Sequence, residues 1–260
     1  MTESVAPSDA RILRPPVGLA LASLFRADAL VLLRSRVSAV LSILLPVVIV
    51  VVTSFGKANR LGGGAQVVGL ALTLGLVTSC LLGYSLNLAH DREVGVLQRL
   101  RVSPAPTWTV MVSRLVVQVA SNMIGSIIVI IVGAIVHGLT LGAGQYLLML
   151  GIAVLGAAVF LSLGQALVAL VRTTSAINAI GRILFIVLVL IGLLGGTGIL
   201  GDVVKSISGW TPVGALMNLF TDAAAGTGWA DQDTYAMIAC VGYIAVFSFL
   251  GIRWFRWDSH

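Results

Sequence analysis

Apolar positions in this chain run together instead of alternating with polar ones. Six stretches are almost continuously hydrophobic: Val37–Phe55, Gln66–Ala89, Trp108–Val136, Tyr146–Val171, Ala176–Leu200 and Tyr235–Ile252. A helix needs about 20 apolar residues to cross the hydrocarbon core of a bilayer. Inside lipid every backbone polar group must find its partner within the protein, so each stretch is read as a spanning helix. Barrel strands would be shorter and would alternate with a period of two. The pattern therefore predicts an all-α integral membrane protein with six transmembrane helices. It divides the chain into residues 1–36, ahead of the first span, 37–252, the transmembrane domain, and 253–260, a short tail.

Two further segments break this pattern. Leu21 to Arg36 mixes Leu21, Leu24, Phe25, Leu32 and Leu33 with Arg26, Asp28, Arg34 and Arg36 at helical spacing. That mixture predicts an amphipathic helix lying in the membrane interface. Val213–Phe220 is apolar, too short to span and preceded by Pro212. It is read as a re-entrant segment, with Pro212, Leu216 and Asn218 as candidate elements of an outer gate.

Composition narrows the class. Apolar residues make up 58% of the chain and charged ones 10%. Soluble domains carry about 25% charged residues, so lipid must cover most of this surface. The net charge of +6 invites a nucleic-acid reading. The basic residues sit at the ends of apolar segments and not in one patch, which argues against that partner. Basic residues favour the cytoplasmic side of a membrane. Placing the N-terminus there puts thirteen of the 16 Lys and Arg inside and leaves Lys57, Arg60 and Lys205 outside. The expected protein is multi-pass in the cell membrane, with both termini cytoplasmic and no secretory signal peptide.

Chemistry is sparse. No GxxxxGK followed by Ser or Thr is present, and no nucleophilic triad or metal-ligand spacing stands out. Cys80 and Cys240 lie inside apolar runs and read as packing residues. No catalytic or metal site and no bound cofactor is expected in this chain. Polar groups within the spans are Asn87, Gln118, Asn122, Gln165, Asn178 and Arg182. They are candidates for lining a pathway, against the plainer roles of interhelical hydrogen bonding and, for Arg182, snorkelling to the interface.

The charged stretch His90–Arg101, HDREVGVLQRLR, lies between the second and third spans. Asp91 and Glu93 come first, Arg99 and Arg101 last, an order that suits the dipole of a single short helix. Ser103-Pro104-Ala105-Pro106 ends it. An ordinary basic loop and a docking helix both fit this spacing.

The run from Arg92 to Leu115, REVGVLQRLRVSPAPTWTVMVSRL, resembles the loop of type-2 ABC exporter permeases, the drug, polysaccharide and lipid exporters. The likeness rests on Arg92-Glu93, Gly95, Leu97, Arg99-Leu100 and Ser103-Pro104. Pro46 in the first span and Trp210-Thr211-Pro212 before the last extend it along most of the chain. The resemblance implies that Asp91, Arg92, Glu93, Val94, Gly95, Val96, Leu97, Arg99, Leu100 and Arg101 couple the permease to a soluble ABC ATPase subunit. ATP and Mg would then sit on that partner. It also implies a second permease, copy or paralogue, and an amphipathic substrate, drug-like or lipid. An ion-gradient transporter and a non-transporting scaffold are the alternatives. All ten acids fall outside the predicted spans, which weighs against the first.

Overall fold

The computed structural model describes residues 18, 23, 25, 26, 30, 36–55, 63–96, 107–197 and 201–254. Among these, every regular element is helical. We number them α1 (Arg36–Phe55), α2 (Gly64–Glu93), α3 (Thr107–His137), α4 (Ala143–Leu170), α5 (Thr174–Thr197), α6 (Asp202–Trp210), α7 (Pro212–Ala225) and α8 (Asp231–Trp254). Five of them, α2, α3, α4, α5 and α8, are long and apolar enough to cross a membrane. In α1 the described apolar part is the shorter run Ile43–Phe55. Much of the interfacial helix predicted over Leu21–Arg36, and the tail beyond Trp254, lie outside the described residues.

The helices run up and down between two ends. The start of α2 meets the end of α3, where Gly64 abuts His137. The ends of α2 and α4 meet at Arg92 and Val168. α8 starts beside α6, through Trp210 and Tyr235, and ends against α4, where Gly251 faces Gln165. We call the end holding residues 91–96 and the α4–α5 turn the loop end, and the other the far end.

Helices α2 and α4 form the centre. Each has 61% of its most apolar stretch buried, against 17% for α5 and for α8. The outer helices turn Ile124, Ile135, Ile183, Ile238 and Phe249 outward. A contiguous apolar surface of that kind needs lipid or a partner to cover it. Small residues set the close approaches. A Cβ at Gly69 would lie 2.7 Å from Thr221 Oγ1, and one at Gly156 would lie 2.9 Å from Leu76 Cδ1. Lipid supplies no hydrophobic drive between helices, so contact depends on such close packing.

Helix α7 contains the expected re-entrant run. It is a buried helix inside the bundle at the far end, packed mainly on α2 and also on α4, α5, α6 and α8. Leu216 is fully buried and Pro212 is buried; Asn218 is half-buried. The start of α7 explains Trp210-Thr211-Pro212. Thr211 Oγ1 accepts from Gly214 N–H at 3.2 Å as the N-cap, and also donates to Ser208 O at 2.7 Å. Pro212 takes the first helical position, where its missing N–H is no loss.

Helix α2 is not uniform. Val77–Gly83 forms a π-helical segment in its middle. Such insertions widen the turn and are frequent at functional sites. Gly164 of α4 packs against this segment, its missing Cβ 3.1 Å from Cys80 O.

Candidate functional site

Among the described residues, the loop end gathers the charged contacts of Asp91, Arg92, Glu93 and Arg114. The sequence suggests one helix over His90–Arg101 with Asp91 and Glu93 in its first turn. The structure corrects this: α2 continues through Glu93, so both acids sit in the last turn of a spanning helix. Gly95 stops it. Its φ is +76°, a conformation that side-chain-bearing residues rarely adopt, and its N–H reaches back to Arg92 O at 3.3 Å. Val94 and Gly95 form a turn, and Val96 is the last described residue before α3. Leu97, Arg99, Leu100 and Arg101 lie outside the described residues.

Arg92 points inward and is only 4% exposed. Its Nη1 donates to Val168 O at 2.8 Å, and its Nη2 to Val171 O at 3.0 Å and Arg172 O at 2.7 Å. These carbonyls close α4, where the last turn has no helical donors left and the dipole is negative. Glu93, the next residue, does the opposite. It is exposed, and its Oε1 accepts from Thr174 N–H, the first amide of α5, at 2.8 Å. Thr173 adds a second cap, its Oγ1 accepting from Ala176 N–H at 3.3 Å. A cation on a helix C-terminus and an anion on a helix N-terminus are both favourable. Two consecutive side chains of α2 thus clamp the three-residue turn Val171–Thr173 between α4 and α5.

Asp91 makes the third link. Its Oδ2 pairs with Arg114 Nη1 at 2.6 Å, joining α2 to α3. Arg114 lies well inside a helix long enough to span, where a lone charge would be costly, and Asp91 supplies its partner. The root of the α2–α3 loop is therefore tied to α3, α4 and α5 at once. Sequence reading found Arg92 and Glu93 but missed Arg114, Thr173 and Thr174. A basic residue seven positions into an apolar run, and a Thr-Thr pair just before one, were the available signals.

The polar residues of the spans fall in separate places along the bundle. Gln118 Nε2 donates to Ser79 Oγ at 3.0 Å, within the π segment, and Asn122 Nδ2 donates to Gln118 O at 2.8 Å. Ser79 and Asn122 border a cavity of about 30 Å³ among α1, α2 and α3. Gln165 Nε2 donates to Tyr84 Oη at 3.2 Å, bridging α4 and α2. Asn87 and Arg182 are exposed, and the buried Asn178 Oδ1 has no partner. Among the described residues no group of His, Cys, Asp and Glu could hold a metal ion, and Cys80 and Cys240 are buried free thiols.

No curated protein matches the chain. Residues 20–222 match the ABC-2 type transporter family, a region that takes in the clamp, the α2–α3 loop and the helix after Trp210-Thr211-Pro212. Helices built to cross a membrane and a match over most of the chain lead to one conclusion: this is a membrane permease belonging to the ABC-2 type transporter family.

Proposed function

We propose that the chain is the transmembrane subunit of an ATP-driven exporter, working with a soluble ABC ATPase and a second permease. In this reading α1 completes six spans, the loop end faces the cytoplasm and α7 is an outer re-entrant element. The ATPase docks on the α2–α3 loop, around Val96–Arg101. Substrate is an amphipathic molecule, drug-like or lipid, moved from the cytoplasm or inner leaflet.

The observation that carries this reading is the clamp. A force on the loop enters α2 below Gly95, at residues that already grip the α4–α5 turn and α3. Displacing the loop must then shift these helices together or break charge-assisted hydrogen bonds, the stronger class of such bonds. Closure of an ATPase dimer could in this way bias a two-state bundle between inward and outward forms. The π segment of α2 offers a compliant point along the same helix.

The test is co-purification from native membranes. A tagged permease should carry Mg-ATP hydrolysis that vanadate inhibits. Leu97→Asp in the loop should abolish that activity while leaving permease yield intact. Equal hydrolysis with and without the substitution would remove the loop from docking.

A further inference from the structure

A second polar site lies at the far end, away from the clamp. A cavity of about 340 Å³ opens between α4, α7 and α8. Leu219 and Ile152 are buried in its floor, and Leu148 and Trp229 form a wall. Asp222, from the last turn of α7, and Asp233, from the first turn of α8, also line it, and the lining contains no Lys or Arg.

Asp233 is the unusual member. It is 3% exposed, and its Oδ2 accepts from Ala230 N–H at 2.9 Å, capping α8. Its Oδ1 is buried and accepts from no N–H or hydroxyl donor. An unmatched buried carboxylate oxygen is costly. The group that neighbours it is another acid, Asp222, close enough for the two carboxyls to interact. Burial, then the charge of Asp233 and a hydrogen bond between the two carboxyls, hold the Asp222 carboxyl above the ordinary carboxylate range; with both acids ionised no donor remains between them. Gln145, the amide side chain of the lining, is already held on both of its polar atoms. Its Oε1 accepts from Gly142 N–H and its Nε2 donates to Ala223 O.

The chemistry missing here is a cation with hydrogen-bond donors. No third ligating His, Cys, Asp or Glu joins these two carboxylates among the described residues, so a dedicated calcium cage is not built here. An ammonium group offers three donors and one charge. The apolar floor and the indole of Trp229, which Thr234 Oγ1 anchors at 2.9 Å from Nε1, suit the body attached to it. A volume near 340 Å³ sits at the small end of the range for ligand sites.

We propose that this cavity binds amphipathic molecules bearing a protonated amine, with the ammonium on Asp233 and Asp222 and the apolar body against Ile152, Leu219 and Trp229. This deepens the exporter reading by placing a cationic subsite on its outer side, and rests on that reading only for the direction of transport.

The test uses purified full-length permease in detergent with dansylcadaverine, a fluorescent primary amine. The probe should bind saturably, with brighter dansyl emission. Its N-acetylated, uncharged analogue should bind at least about tenfold more weakly, the scale of one desolvated charge-assisted contact. Asp222→Asn and Asp233→Asn should each weaken the amine by a similar factor and leave the analogue unchanged. Leu148→Trp, which narrows the cavity without altering its charge, should block both probes, and keeps the test open if Asp233→Asn misfolds. Equal binding of charged and neutral probes, or variants that bind as the parent does, would overturn the proposal. So would displacement by sub-millimolar Ca²⁺ with no competition from simple amines, since that is a metal site. If the amine fails to bind while ATPase co-purification persists, the subsite falls and the permease reading stands; the reverse pair of results separates them the other way.

Discussion

Replacing Arg92 by Met keeps most of the side-chain volume and removes the charge. Three carbonyls lose their donor: Val168, Val171 and Arg172. They are not equivalent. Val168 is fully buried, Val171 half-buried and Arg172 exposed, so water can reach only the later two. One carbonyl left dry costs about 1–3 kcal/mol. Losing a cation from the end of α4 adds about 0.5–1 kcal/mol. Removing the guanidinium also relieves its own desolvation, which trims the total. The expected loss is about 2 kcal/mol, or roughly 4–8 °C in melting temperature for a chain of this size. The assay is thermal unfolding in detergent, followed by size-exclusion recovery of the permease. Arg92→Lys should restore part of the loss, since one ammonium can reach one or two of the three acceptors but cannot span them as the planar fork does. A melting point for Arg92→Met within about 1 °C of the parent would refute the clamp as a stabilising element.

Other outcomes follow from the same structure. Leu216→Asp places a charge in a fully buried position of α7. It should cost several kcal/mol and cut membrane yield sharply, readable by fluorescence size exclusion. Gly214→Ala drives a Cβ into the Ser208 carbonyl, a backbone atom that cannot give way, so the α6–α7 junction should fail and recovery fall to near zero. Asp222→Asn tests the far-end acids by pH. The folded state holds this carboxyl above its ordinary range, so its ionised form destabilises the fold at neutral pH. The Asn variant should melt higher than the parent at pH 7, and the gap should close as pH falls from the raised folded-state pKa down through the ordinary carboxylate range.

The spans were legible because lipid leaves so few alternatives: five of the six apolar runs appear as helices long enough to cross, within a few residues of their expected limits. Glycine and proline marked real events. Gly95 ends α2 and Thr211-Pro212 starts α7. The reading failed where local charge order and tertiary contact competed. Asp91 and Glu93 look like helix-starting acids by sequence, yet they end a helix, because their partners Arg114 and Thr174 come from elements 23 and 81 residues away. Nothing local announces those distances. The Asp222–Asp233 cavity was hidden for the same reason: a loop separates its acids in sequence, and only the packing of α7 on α8 makes them neighbours.

An ATPase that meets this permease at the α2–α3 loop should be caught there by a covalent probe. A photoreactive benzoylphenylalanine at Leu97, with a control at Arg60 on the connection between α1 and α2, tests it in native membranes. The expected result is an ATP-dependent adduct between position 97 and a soluble ATP-binding subunit, identified by mass spectrometry, and no such adduct from position 60. An adduct at 60, or none at 97 with the permease inserted and intact, would contradict it.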